Sequence, residues 1–225
     1  MKFVLSILAM GFSVSCSSIP SARAAQPFVT CLQDSARLDV RSKELASIVK
    51  ADQDDRDEWQ KKSPEEMGEV VKRDEIRRMR VGEIFGEGCF SKAVDYSSAA
   101  LVFQHGDMPD HFFQTFLWSK RAVELGDNKQ KRMMALGIDR YLVNSGRKQL
   151  FGSQATKPDF KPETCWCIQQ VEKTYPDRLR KEYADKTLAE AFDWLKELNA
   201  GKSCPVAECA SPLTATPKGT VPGFW

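Results

Sequence analysis

Long apolar runs and an excess of charge of one sign are both missing from the mature part of this sequence. After residue 24 no segment approaches the roughly 20 consecutive apolar residues that a membrane-spanning helix needs, so we expect no membrane span. Removing Lys2 and Arg23 from the 33 basic residues leaves 31, equal to the 31 acidic residues. A chain without a basic excess lacks the electrostatic footprint of a nucleic-acid-binding protein, and we expect no nucleic-acid partner.

The N-terminus has the three parts of a cleavable export signal. Lys2 supplies a positive charge, residues 3–14 form an apolar run too short to span a bilayer, and an Ala-Arg-Ala sequence ends at Ala24. We predict cleavage after Ala24 and export to the bacterial periplasm or the extracellular space. The alternative is a lipoprotein anchored through Cys16, which is disfavoured because Ser13 stands where a large aliphatic residue is required.

The mature chain, about 200 residues long, is enough for one domain with a sizeable core. We assign residues 25–201 to a helical domain and residues 202–225 to a proline-rich tail tied by cysteines. An even number of cysteines in an oxidising compartment predicts disulfides. The bonds that we expect are Cys31 with Cys89, and Cys165 and Cys167, which are too close in sequence to pair with each other, with Cys204 and Cys209. A four-thiolate zinc site made by the last four cysteines is the alternative.

Helix signals recur along the whole chain, whereas the alternation typical of strands is almost absent. Ser63 to Glu66 and Thr187 to Glu190 are capping boxes, and Gly126 and Gly146 are placed to end helices. Only residues 148–153 suggest a strand or a tight hairpin. We therefore predict an all-α, single-domain, multi-helix array with a short irregular or hairpin segment near 148–154 and a disulfide-pinned C-terminal tail. The predicted helices lie at about 38–60, 64–85, 91–105, 109–125, 128–145 and 187–199, with a weaker one near 176–184.

Two of these helices turn a carboxylate toward the core. The apolar face of the first helix continues at helical spacing onto Asp52 and Arg56, and the apolar face of the second contains Asp74. A buried charge costs several kcal/mol unless it is paired, hydrated or bound to a ligand. A simple ion pair between Asp52 and Arg56, at i and i+4, is the alternative to a functional site.

A second polar concentration follows the buried third helix, at residues 104–107. Histidine titrates closest to neutral pH, so His105 is the best candidate for a general base or acid, with Asp107 or Asp139 to orient it. A capping or core role for His105 is the alternative. We predict no cofactor, although His105, Asp107 and His111 could together hold zinc or another divalent transition ion.

The last polar group comprises Asp139, Arg140, Gln149 and Gln154. An arginine can hold a carboxylate or a phosphate through two parallel hydrogen bonds, which makes Arg140 a candidate for binding an anionic ligand. An exposed ion pair and two exposed amides are the alternative, and spacing alone favours it.

The order of these motifs resembles an uncharacterised bacterial family, number 6624 among domains of unknown function. The resemblance covers about residues 42–160, with an Asp-Gln-x-x-Arg opening at 52–56, a Gln-His-Ala-Asp-like segment at 104–107, an Asp-Arg pair at 139–140 and a Gln-Tyr-Gly-Thr-Gln-like segment at 149–154. This sequence has Gly106 where the family has Ala, and Phe151 and Ser153 where it has Tyr and Thr. The family brings no established activity. The resemblance implies that one site contains Gln53, Arg56, Asp74, His105, Asp107, Asp139, Arg140, Gln149 and Gln154.

Three functions are compatible with these patterns. The first is an exported enzyme, a hydrolase or group-transfer catalyst, with His105, Asp107 and Asp139 as catalytic residues and the remaining members of the set as substrate-binding residues for a small polar or anionic ligand. No serine or cysteine stands in a recognisable nucleophile motif, so covalent catalysis has no support. The second is a helical binding or interaction module that uses the same cleft without chemistry. The third is a buried polar network that only fixes the fold.

Overall fold

Helices dominate the structure, a computed structural model that describes residues 30–157, 159, 161 and 163–225. Across this part of the chain there are seven α-helices and one two-stranded antiparallel sheet, which confirms the predicted all-α class. The predicted signal peptide and Cys16 lie outside the described residues. The elements are α1 (Ala36–Asp54), α2 (Pro64–Gly86), α3 (Ala93–Phe103), α4 (Pro109–Glu124), α5 (Lys131–Asn144), β1 (Ala155–Thr156), β2 (Cys167–Ile168), α6 (Asp177–Ala184) and α7 (Leu188–Leu198).

The predicted capping boxes start α2 and α7. The backbone N–H of Glu66 donates to the Ser63 hydroxyl at 3.2 Å, and the Ser63 N–H donates to the Glu66 carboxylate at 2.7 Å. Thr187 and Glu190 make the same reciprocal pair at α7. These bonds satisfy backbone donors that have no partner within the helix, which is why the sequence locates both helix starts correctly.

The end of α1 differs from the prediction. The helix stops at Asp54, not near residue 60, and a short 3-10 turn occupies Trp59–Lys61 after Glu58 in the left-handed region at φ 54°. Acidic residues crowd this end of α1 and its last turn has no basic residue. Because the C-terminal end of a helix carries partial negative charge, such a sequence does not favour further helix.

The core divides into packed clusters along the chain. The largest N-terminal cluster joins α1, α2 and α3 and includes Trp118 of α4, so α3 lies at its centre as predicted. A second cluster joins α4, α5 and α6. Gly137 lets α5 approach α4 closely, because a Cβ atom at this position would lie 3.0 Å from the backbone nitrogen of Phe116. The close approach holds the middle of α5 against α4, two residues before Asp139.

Three disulfides fix the ends of the domain. Cys31 bonds to Cys89, Cys165 to Cys204 and Cys167 to Cys209. The predicted partners are confirmed, and the zinc alternative is wrong because the four C-terminal sulfur atoms are used in two disulfides. Among the residues that the structure describes, no helix has the length and apolar character needed to cross a membrane.

The segment after α5 is irregular, as predicted, but its strand lies later than expected. Gln149 makes a single bridge to Val171, and the ladder forms at Ala155–Thr156 against Cys167–Ile168. Gly152 has φ 77°, and a Cβ atom there would lie 3.4 Å from the side chain of Ala191 in α7. The tail is also part of the core, since Val221, Phe224 and Trp225 pack on the cluster of α4, α5 and α6.

Candidate functional site

A buried carboxylate contacts a partly exposed imidazole where α1 meets the end of α3. Asp52 is fully buried, and its Oδ1 lies 3.1 Å from Nδ1 of His105. A carboxylate can only accept, so this contact requires the proton of the neutral ring on Nδ1. The described residues supply no hydrogen-bond partner for Nε2, and 18% of the side chain is exposed. The pair therefore presents Nε2 of His105 as an unprotonated nitrogen.

Asp52 has further partners that compensate its burial. Nη1 of Arg56 lies 3.2 Å from Oδ1, and the Gln53 amide donates to Oδ2 at 2.7 Å. A buried carboxylate needs a charge or several donors nearby to offset its loss of hydration. The sequence placed Asp52 on the inward face of α1, but we expected Asp107 or Asp139 to orient His105. That assignment is wrong, because the carboxylate in contact with the imidazole is Asp52.

Arg56 and Asp74 belong to a network of ion pairs between α1 and α2. Nη2 of Arg56 lies 2.7 Å from Oδ2 of Asp74, and Arg77 reaches the other oxygen of Asp74 at 2.9 Å. Arg73 and Arg77 both pair with Asp55 and hold the pKa of its carboxyl well below the usual range. Since Arg56 is matched by carboxylates, its predicted substrate-binding role is not supported. The network holds the last turns of α1 against α2.

Arg140 is a half-buried cation that no carboxylate of the described residues pairs with. Nη1 donates to the backbone carbonyl of Gln104 at 2.7 Å, Nε donates to Oε1 of Gln154 at 3.4 Å, and the guanidinium lies 5.3 Å from the ring centroid of Phe112. Desolvation lowers the pKa of Arg140 from its ordinary value. Because Gln104 directly precedes His105, the guanidinium of Arg140 contacts the backbone one residue before His105.

Asp139 holds the loop after α5. Its fully buried carboxylate accepts hydrogen bonds from the backbone N–H groups of Leu150 at 2.8 Å, Phe151 at 3.0 Å and Ser153 at 2.9 Å, and from the Ser153 hydroxyl at 2.9 Å. Burial raises the pKa of Asp139, and these donors oppose that rise. With its oxygens occupied by the loop, Asp139 does not act on His105, contrary to its predicted catalytic role.

Gln149 has a similar structural role. Its fully buried side chain donates to the backbone carbonyls of Gln154 at 2.9 Å and Gln169 at 2.7 Å, and accepts from the N–H of Gln154 at 2.8 Å. Every polar atom of the amide is thus used inside the protein. The structure therefore does not support Gln149 as a substrate-binding residue. The amide of Gln154 also has internal partners, since Oε1 accepts from Arg140 and Nε2 lies within hydrogen-bonding distance of Ser153 Oγ, so its substrate-binding role stays a prediction.

Asp107 and His111 form a separate group with Arg78. Nδ1 of His111 accepts from the backbone N–H of Asp107 at 3.3 Å and lies 3.2 Å from its carboxylate, while Arg78 reaches that carboxylate at 3.4 Å. Burial lowers the pKa of His111, and the charge of Arg78 lowers it further. These three residues line an open depression of about 480 Å³.

The predicted metal alternative does not assemble. His105 turns Nδ1 toward Asp52, while Asp107 and His111 contact each other. Nowhere in the described part of the chain do three or more His, Cys, Asp or Glu side chains form a group that could hold a metal ion.

The structure thus separates the predicted set into four groups. The first lies at or next to the new site, the second is the ion-pair network of α1 and α2, the third holds the loop after α5, and the fourth contacts His111. The members are, in that order, His105, Gln53, Arg140 and Gln154; Arg56 and Asp74; Asp139 and Gln149; and Asp107. Asp52, which anchors the site, was not among the predicted site residues. Its signal was its position on the apolar face of α1. No family model, no curated protein and no solved structure matches the chain, so the resemblance to the uncharacterised family remains a prediction.

Proposed function

We propose that this protein is an exported enzyme, a hydrolase or group-transfer catalyst, in which His105 is the general base and acid. The observation that carries the proposal is the contact between fully buried Asp52 and Nδ1 of His105, with Nε2 left unpartnered by the described residues. A buried carboxylate orients the ring, fixes its tautomer and stabilises the imidazolium that forms when the ring takes up a proton.

The chemistry assigned to His105 is a proton transfer. Nε2 accepts a proton from water or a substrate hydroxyl as that oxygen attacks, and the resulting imidazolium returns the proton to the leaving group. Positioned general acid–base catalysis of this kind contributes roughly 10²–10⁴-fold in rate.

Arg140 is proposed to bind the anionic group of the substrate. Three arginines lie near His105. Arg56 is matched by Asp52 and Asp74, and Arg78 pairs with Asp107, whereas Arg140 makes no ion pair with the described residues. Arg140 contacts the backbone carbonyl of Gln104, and the side-chain Oε1 of the same Gln104 is buried and lacks a hydrogen-bond partner among the described residues. A cation and an unsatisfied acceptor on neighbouring residues suit a ligand that carries both an anionic and a donor group.

The proposed compartment is the periplasm or the extracellular space. Three disulfides support an oxidising environment, since disulfides are rare in the reducing cytosol of most organisms. We propose that the predicted signal is cleaved after Ala24.

The second candidate is a binding module without chemistry. The unpaired guanidinium of Arg140 favours it, because an anion could bind there without any proton transfer by His105. In that case the two functions share a ligand site and differ in whether a product forms.

The test compares His105→Ala with His111→Ala, the matched change at the other histidine of the chain. Each mature protein is assayed with p-nitrophenyl acetate, p-nitrophenyl phosphate and a peptide p-nitroanilide, and its melting temperature is recorded. We expect wild type and His111→Ala to turn over one of these esters or amides, and His105→Ala to lose about 100-fold or more. Equal rates in wild type and His105→Ala contradict the enzyme proposal. A collapse of the melting temperature in His105→Ala assigns the residue to structure.

A further inference from the structure

A partly enclosed cavity lies between α5, the loop after it, and the turn from α6 to α7, and neither Asp52 nor His105 lines it. Its walls include the apolar side chains of Leu136 and Phe151, the ring of Trp194 and the charged side chains of Arg132 and Lys186. Its volume is about 90 Å³. Since about 10–15 Å³ of such volume holds one water molecule, the cavity has room for a small organic group.

Two cations line this cavity, Lys186 and Arg132. The ammonium of half-buried Lys186 lies 4.3 Å from the ring centroid of Trp194. Desolvation lowers the pKa of Lys186, and the charge of Arg132 lowers it further, while the charges of Glu197 and Asp185 oppose the shift. Neither Arg132 nor Lys186 makes an ion pair with the residues that the structure describes.

Single unpaired cations are common on this surface. Lys50 and Lys196 pair with carboxylates, whereas Lys129 makes no ion pair with the described residues. The cavity differs because two such cations line it together. Bringing two like charges to one apolar cavity costs free energy that a bound anion would recover. The cation–π contact with Trp194 offsets only part of that cost.

We propose that this cavity binds a small organic anion, a carboxylate or phosphate attached to an apolar group. Lys186 and Arg132 hold the anionic group at the opening, and the apolar group contacts Leu136, Phe151 and Trp194. Arginine suits an oxyanion because its planar fork can donate two parallel hydrogen bonds, and lysine adds a point charge. The site is independent of the proposed chemistry at His105.

Benzoate is the probe, titrated into the full mature protein by isothermal calorimetry and followed by ¹⁵N–¹H spectra. Phenyl phosphate tests the second anion, inorganic phosphate tests the anion alone, and benzyl alcohol tests the ring without a charge. We expect benzoate or phenyl phosphate to bind at least tenfold more tightly than benzyl alcohol and inorganic phosphate, with shifts at Gly152 and Trp194. Whichever of the two binds more tightly identifies the anion.

The variants are Lys186→Met and Arg132→Met, with Lys129→Met as the control for loss of one exposed positive charge outside the cavity lining. Because neither cavity residue makes an ion pair, both variants should keep the wild-type melting temperature. We expect each to weaken benzoate binding at least tenfold and Lys129→Met to leave the Kd within twofold. Unchanged binding in Lys186→Met and Arg132→Met, equal binding of benzyl alcohol, or no binding at millimolar benzoate overturns the proposal. His105→Ala should leave the benzoate Kd unchanged, so the two proposals fail separately.

Discussion

Replacing Asp139 with alanine should destabilise the protein severely, although the residue was predicted to be catalytic. The substitution removes the acceptor for three backbone N–H groups, those of Leu150, Phe151 and Ser153. Leu150 and Phe151 are almost completely buried, so water cannot simply replace the lost carboxylate without opening the loop. The loop also carries the contact between Gln154 and Arg140, so its loss would disturb the candidate site indirectly.

The expected loss in unfolding free energy follows from the number of backbone N–H donors that Asp139→Ala leaves without an acceptor. Each buried donor left unsatisfied costs roughly 1–3 kcal/mol. Relief of the buried charge of Asp139 and relaxation of the loop offset part of this sum, so we expect a loss of about 3–5 kcal/mol, at the upper end for single substitutions. For a domain of this size each kcal/mol corresponds to roughly 2–4 °C, which predicts a melting temperature lower by about 10–15 °C.

The measurement is equilibrium denaturant unfolding of the oxidised mature protein, with Asp193→Ala as the control. Asp193 is exposed and pairs only with exposed Lys196 at 2.8 Å, so its removal should cost under about 0.5 kcal/mol. A loss below about 1 kcal/mol in Asp139→Ala would refute the structural role. If turnover fell in the same variant while stability was kept, the result would support a catalytic role for Asp139.

Three further outcomes follow from the fold. The pKa of His111, followed by imidazole proton NMR, should lie below 6.5, and Arg78→Gln should raise it; a pKa at or above 6.5 contradicts this prediction. Because the unfolded state binds the proton first as pH falls, His111 should lower the free energy of unfolding as the pH drops through about 6.5. Replacing Cys31 and Cys89 with serine should cost about 4 kcal/mol in unfolding free energy because their bond closes a loop over a separation of 58 residues, and a loss under about 1 kcal/mol would be inconsistent with it. Gly137→Ala should destabilise by about 1–3 kcal/mol in denaturant melts because the new methyl group meets the α4 backbone at 3.0 Å, whereas a gain in stability would show that the helices separate easily.

Local chemistry made much of the fold predictable. Ser63 and Thr187 predict helix starts because a cap depends on residues only three positions apart. The end of α1 was missed because the apolar stripe continues to Trp59, while the helix stops at Asp54. Cysteine partners at the C-terminus could be narrowed but not assigned, since the choice between Cys204 and Cys209 depends on the path of the tail.

The candidate site was less predictable because its key contact joins residues 53 positions apart. Helical spacing showed that Asp52 points inward and that His105 follows a buried helix. The packing of α1 against α3 determines which carboxylate contacts the His105 imidazole. No local sequence pattern predicts that contact. Asp139 and Gln149 look equally functional in sequence, yet their polar atoms serve the loop after α5.

Buried or half-buried polar residues therefore have two roles in this molecule, one structural and one in ligand binding. Around Asp139 the hydrogen bonds are complete within the protein, which is typical of a structural role. At Arg140 a charged group is partly desolvated without a carboxylate among the described residues, which is typical of a ligand site. Whether all hydrogen-bond and ion-pair partners lie within the protein, more than residue type, distinguishes a structural residue from a ligand-binding one.

The most direct test of the central claim is the tautomer of His105, measured at neutral pH by long-range ¹⁵N–¹H correlation NMR. We expect the neutral ring to carry its proton on Nδ1, donated to Asp52, with Nε2 unprotonated. Finding the His105 proton on Nε2 would contradict the Asp52–His105 pair and with it the proposed general base.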